Sequence, residues 1–202
     1  MKLGPRGLIL VLALGLPAAP VEFGLAPTDA EVREADALVA GLRGPLVAAC
    51  VGSSCPSRRW FPDRTAAVLR SLHERERTSA VLLGTAADAP FAAEVVRHSD
   101  RGVRDLVGRT SLRQLLAILA RSHLAFGPDS GALHLAAAVG VPTISLWGAT
   151  SATRSAPWGS EHLAVTGSAP CAPCFLTTCP IGRVCMRSIS PSDLLVARTV
   201  RG

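Results

Sequence analysis

The stretch HLAFGPDSGALHLAAAVGVPTISLW, residues 123–147, decides the fold. Its opening apolar run, 123–127, predicts a buried strand. A helix is predicted from Gly131 to Val139, with Gly140 as its stop, and a second buried strand from Pro142 to Trp147. Upstream the same rhythm repeats. Residues 46–51 form a short apolar run ending at Gly52, and Pro62 opens a helix to about His73. A strand at 79–84, a helix at 89–97, a weaker strand at 103–107 and a helix at 111–120 follow. The last carries Leu112, Leu115, Leu116 and Leu119 on one face. Strand and helix alternating at this spacing predict an α/β fold, a doubly wound parallel sheet of Rossmann-like type.

Residues 45–202 are thus expected to form one α/β domain, with a Cys- and Pro-rich loop at 170–187 and a last helix near Pro191. Residues 1–44 read as a connector, with a helix over 28–42 packed against the sheet's edge. At the terminus, Lys2 and Arg6 precede an apolar run at 7–16 and the small residues Ala18 and Ala19. That pattern resembles a secretory signal; the alternative is a helix or linker at a domain edge. The run is too short to span a bilayer as a helix.

The net charge of +6 favours anionic partners. Lys2 is the only lysine, however, and the arginines are scattered, with none of the runs that mark a nucleic-acid tail. Nucleic acid is therefore not an expected partner.

Ligands of open α/β sheets sit at the carboxyl ends of the strands, where loops feed helix amino termini. Four loops qualify. In Gly127-Pro128-Asp129-Ser130-Gly131, Asp129 or Ser130 can cap the helix, and Gly131 leaves its first amides open to a phosphate. His134 lies one turn on, on the same face, and can donate to a phosphate or ribose oxygen. The competing reading is a plain cap with a core histidine. In the loop 52–62, Arg58 and Arg59 suit diphosphate oxygens, and Trp60 can anchor the loop by burying its ring. Asp88, in the loop 84–88, can reach a ribose or base. Thr110 and Ser111 belong to the fourth loop, where a helix cap is the competing role. Cys171, Cys174, Cys179 and Cys185 have the spacing C-x2-C-x4-C-x5-C. Four thiolates so spaced can hold structural zinc or an iron–sulfur cluster; free thiols and disulfides are the alternatives.

Together these segments resemble the carboxyl-terminal half of glycosyltransferase family 9, the ADP-heptose:lipopolysaccharide heptosyltransferases. Gly127-Pro128-Asp129-Ser130-Gly131-Ala132-Leu133-His134, with Gly140-Val141-Pro142-Thr143 and Gly148-Ala149-Thr150, is similar to the family's most specific signature. Ser57-Arg58-Arg59-Trp60 with Pro62 resembles its basic-Trp-Pro loop, and Gly108 with Thr110-Ser111-Leu112 also fits. The four cysteines resemble a cluster found in part of the family. The resemblance implies a GT-B fold, of which this chain is the donor-binding half. It implies that Arg58, Asp88, Thr110, Asp129, Ser130, Gly131 and His134 surround a nucleotide-diphosphate sugar, ADP-heptose. Arg58 stands where the family usually has a lysine, and keeps its charge but not its shape. The implied acceptor is a lipopolysaccharide core sugar, and the implied transfer is inverting and needs no cofactor. The expected setting is a bacterial cytoplasm, peripheral to the inner membrane face.

The acceptor site and the catalytic base belong to the family's other half, which a partner chain can supply. Leu12-Ala13-Leu14-Gly15-Leu16-Pro17 resembles the connector between halves, which favours the linker reading of the terminus. The alternative to an enzyme is a non-catalytic nucleotide-sugar-binding module or a subunit of a split enzyme. A third reading makes the cysteine loop the centre of an interaction domain.

Overall fold

The computed structural model describes residues 22–99, 102–159 and 162–199. Six strands are seen among these: β1 (Leu46–Cys50), β2 (Ser79–Leu83), β3 (Val103–Asp105), β4 (Leu124–Pro128), β5 (Thr143–Trp147) and β6 (His162–Thr166). They form one sheet in the order β3-β2-β1-β4-β5-β6, with every pairing parallel. The order reverses direction between β1 and β4, so the loops after these two strands diverge and leave a crevice at their carboxyl ends.

Side-chain alternation along the strands divides the core into two layers. Val47, Ala49, Ala80, Leu82, Leu124, Phe126, Ile144 and Leu146 face one side. There they meet α2 (Pro62–Glu76), α3 (Ala89–Arg97) and α8 (Pro191–Thr199). Leu46, Ala48, Cys50, Val81, Leu83 and Ala125 face the other. This second layer is closed by α1 (Asp29–Val39), α4 (Leu112–Ala120) and α5 (Gly131–Ala138). Full burial of a side chain such as Leu82 contributes about 1.5–3 kcal/mol. Two short α-helices, α6 (Ala152–Ser155) and α7 (Val184–Arg187), and two 3-10 turns, Pro56–Arg58 and Ala86–Asp88, are also present.

Helix starts follow the sequence. Pro62 occupies the first turn of α2 behind Phe61. Ser111 and Gln114 form a capping box at α4, so Ser111 has the capping role that its position allowed. Thr28 and Glu31 do the same for α1, whose Ala35 and Val39 enter the second core layer. The helix expected over 28–42 is thus present as α1, docked on α4. One strand was not expected: β6 lies between Trp147 and the Cys-rich loop, where no strand was predicted. The apolar run at 7–16 and its two readings lie outside the described residues. No helix among the described residues is long and apolar enough to cross a membrane.

α1 is pinned to α4 by Arg113, whose Nη2 donates to Glu31 Oε2 at 2.7 Å and to the Ala26 carbonyl at 3.0 Å. These bonds, Arg113 first and the Thr28 amide second, lower the Glu31 carboxyl to about 2. A depressed folded-state value adds stability that is complete above the ordinary carboxylate value of 4.5 and lost as pH falls toward 2. Thermal unfolding midpoints are therefore expected to drop across that window, and Glu31→Gln to flatten the drop. A pH profile of Glu31→Gln identical to the parent's would refute this. Because the pair is exposed to solvent, added salt should shrink the effect.

Candidate donor site

The loops after β1, β2, β3 and β4 enclose an open cavity of about 880 Å³. Arg58, Asp88, Thr110, Asp129, Ser130, Gly131 and His134 all line it, so the structure gathers every candidate residue of the four loops at one place. They come from separate strand ends, which is what a parallel sheet does with its βα loops.

At the centre, β4 ends at Pro128 and α5 begins at Gly131. Neither Asp129 nor Ser130 caps α5, contrary to the expectation from sequence. Ser130 is the N-cap residue, but its backbone is extended (φ −155°, ψ 156°) and its side chain makes no capping bond. Its Oγ is buried and without a partner. Asp129 is occupied elsewhere. Its Oδ2 accepts from Thr150 Oγ1 at 2.8 Å and lies 3.1 Å from Arg58 Nη1, while its carbonyl accepts from Ser53 Oγ at 3.1 Å. His134 is exposed on the cavity wall, which removes the core-histidine alternative.

The basic loop is anchored as its tryptophan implied. Trp60 is 2% exposed and its indole donates to the Ile189 carbonyl at 3.3 Å. Beside it Arg58 and Arg59 reach toward different carboxylates. Arg59 Nη2 lies 2.8 Å from Asp88 Oδ1. Asp88 is 2% exposed, and its Oδ2 accepts from the Thr85 amide at 2.9 Å and from Thr85 Oγ1 at 2.8 Å. A methyl group on Gly52 would sit 2.4 Å from that oxygen, so only glycine leaves room for the inward carboxylate. Asp88 therefore borders the cavity while both its oxygens serve the protein. Arg58 is bound less completely: its Nε is buried and lacks a partner.

Sequence reasoning passed over Thr150 and Ser53 as partners of Asp129, although both lie in motifs it quoted. It placed Leu112 and Leu115 with Leu116 and Leu119 on one helix face, whereas in the structure Leu112 and Leu115 line the cavity beside Ala132. Leu112 is 66% exposed there. Cys50, on the cavity floor, is pushed up to about 12 by burial, so it is a neutral thiol and not a nucleophile.

The four clustered cysteines lie in different surroundings within their loop. Among the described residues no three His, Cys, Asp or Glu side chains come together in a metal-holding group. Cys171 is exposed and Cys185 buried. The Cys185 thiol is raised by burial and then by the negative potential of Cys171, Cys174 and Cys179, so the four share a neighbourhood without converging. Cys185 is drawn into the core with Met186, and Cys179 Sγ accepts the Arg183 amide at 3.1 Å.

The family description glycosyltransferase family 9 (heptosyltransferase) matches residues 8–185. The lipopolysaccharide heptosyltransferase 1 of Pseudomonas aeruginosa is 33% identical over 132 residues, covering 63% of this chain and 36% of that protein. The fold is shared with a glycosyltransferase family 9 structure from Veillonella parvula (TM-score 0.83, 20% identity, 98% of this chain and 59% of that one). It is shared too with the Escherichia coli ADP-heptose lipopolysaccharide heptosyltransferase II (TM-score 0.77, 21% identity, 93% and 56%). The chain spans about a third of the length of the curated relatives it matches. With the match running through every loop of the cavity, the chain belongs to glycosyltransferase family 9, the heptosyltransferases.

Proposed function

We propose that these residues form the donor-binding half of a heptosyltransferase, holding ADP-heptose for transfer to a lipopolysaccharide core sugar. One observation carries this reading. Two hydrogen-bond donors bordering the cavity, the Ser130 hydroxyl and Arg58 Nε–H, are buried without acceptors beside the open start of α5. An unsatisfied buried donor costs about 1–3 kcal/mol, and a diphosphate, rich in acceptors, satisfies both. The E. coli relative, named for ADP-heptose, supports the choice of nucleotide.

In this mechanism the acceptor hydroxyl attacks the anomeric carbon with inversion, and ADP departs. Arg58 and the first amides of α5 stabilise the charge gathering on the leaving diphosphate. His134 donates to a phosphate or ribose oxygen, Thr110 lies along the nucleotide, and Asp129 holds Arg58 in place. Asp88 acts through Arg59 and the Thr85 turn. The base that activates the acceptor comes from the other half of the GT-B fold, in the same or a partner chain, so these residues alone transfer little or no heptose. The reaction needs no cofactor, and no step is assigned to zinc or an iron–sulfur cluster at the cysteine loop. The setting is the cytoplasm, at the inner membrane face where the acceptor is presented.

Calorimetric titration with ADP, UDP and GDP tests the donor assignment. Saturable ADP binding that exceeds UDP and GDP binding is expected. Equal binding of all three, unchanged in His134→Ala, would defeat it. Steady heptose transfer by this chain alone would defeat the division of labour.

A further inference from the structure

The cysteine-rich segment has no part in the mechanism above, yet it is tied closely to the loop that carries Arg58. The Thr177 carbonyl accepts the Ser57 amide at 3.0 Å, and the Leu176 carbonyl accepts Ser57 Oγ. The Phe175 amide donates to the Ala149 carbonyl at 2.7 Å, next to Thr150. Further along, the Arg64 guanidinium donates to the Arg187 and Ile189 carbonyls.

Arg183 makes the tie nearest to Arg58. Its Nη1 donates to the Arg59 carbonyl at 2.8 Å and to the Trp60 carbonyl at 3.1 Å. Its guanidinium lies 4.5 Å from the centroid of the Phe61 ring. Among the described residues no carboxylate stands within salt-bridge distance of it. The backbone is unusual too. Arg183 has φ 56° and ψ 48°, directly after Gly182 at φ 72°. A side-chain-bearing residue is disfavoured in that left-handed region, where glycine fits freely, and such outliers gather where a side chain has a task. The Arg183 amide, donating to Cys179 Sγ, holds the conformation from the cysteine side.

We propose that Arg183 is a positioning residue for donor binding: it clamps the Arg59–Trp60 backbone so that Arg58 and Arg59 are presented at the cavity. It touches no ligand and acts through the loop. The inference rests on the donor reading of the cavity.

The test uses the full chain and ADP, with Arg183→Gly, Arg183→Lys, Arg58→Ala and the double variant Arg58→Ala/Arg183→Gly. Arg183→Gly relaxes the backbone while removing the clamp, so folding should survive, as checked by the thermal midpoint. ADP affinity is expected to fall about tenfold in Arg183→Gly. Arg183→Lys, which keeps charge and reach, should recover part of that loss. In the Arg58→Ala background the Arg183→Gly change should add little, because the clamp works through Arg58. Parent affinity in Arg183→Gly, or losses that simply multiply in the double variant, would overturn the proposal. Should Arg183→Gly fail to fold, Arg183→Met, which keeps the length but removes the donors, takes its place: parent affinity in Arg183→Met, or losses that simply multiply in Arg58→Ala/Arg183→Met, would overturn the proposal equally. A parent chain that binds none of ADP, UDP or GDP would instead remove the donor reading itself, and this inference with it.

Discussion

Arg58→Ala is expected to weaken ADP binding about 10- to 100-fold, the worth of a charge-assisted hydrogen bond of about 1.5–3 kcal/mol. The side chain is 28% exposed, so its field is only partly screened by water. Its Nη1 is already steered by Asp129, and its Nε–H has no acceptor. A diphosphate at the start of α5 would thus gain a donor that is oriented before it arrives, with little ordering cost. Losing the ion pair leaves the Asp129 carboxylate, 8% exposed, with its bond from Thr150 alone and should cost the fold about 1–3 kcal/mol. Arg58→Lys should restore part of the affinity by charge, but not the forked geometry. Calorimetry at low and moderate salt separates the two: the lysine variant's recovery should fade with salt faster than the parent's affinity. An unchanged ADP affinity in Arg58→Ala would leave Arg58 as nothing more than the partner of Asp129.

The features legible in the sequence were those whose causes are local. β1, β2, β4 and β5 are buried along their whole length, and their sequences are mostly apolar, with Ser79, Thr143 and Ser145 as polar exceptions. β6 escaped because it is the sheet's edge, half exposed, and set among prolines and cysteines. The site residues were legible because the parallel fold makes the strand ends converge, so naming four loops was enough to name one cavity.

Their partners were not legible. Asp129 meets Arg58 from 71 positions away, and Asp88 turns inward to Arg59 across the sheet, and neither pairing has a local signal. Composition made Ser130 a natural cap, but capping needs the side chain to turn back on the helix, and its extended backbone does not allow that. The cysteine spacing suffered from the same gap. Four thiols within fifteen residues invite a metal, yet whether they converge depends on what else the segment must do. Here Cys185 is buried beside Met186, while Cys179 accepts the Arg183 amide.

Gly131→Val separates a binding role from a structural one most sharply, because the two should move in opposite directions. A Cβ at this position meets nothing within 4 Å, and the residue is exposed at the first turn of α5. The fold should therefore accept the side chain, and replacing glycine should raise stability by about 0.4–1 kcal/mol by restricting the unfolded chain. The same space is the path by which a phosphate would approach the first amides of α5, at a hydrogen-bond length of about 2.7–3.2 Å. An isopropyl group there holds the anion away from those amides and from the Ser130 hydroxyl together. ADP affinity is expected to fall more than about 100-fold, equivalent to some 2.7 kcal/mol, with Gly131→Ala intermediate. Thermal unfolding and calorimetry on the same preparations check both halves of the expectation. Parent-like ADP binding in a stably folded Gly131→Val would mean that the diphosphate does not sit at this helix start. A loss of binding accompanied by loss of the fold would mean that the space beside Gly131 is not free.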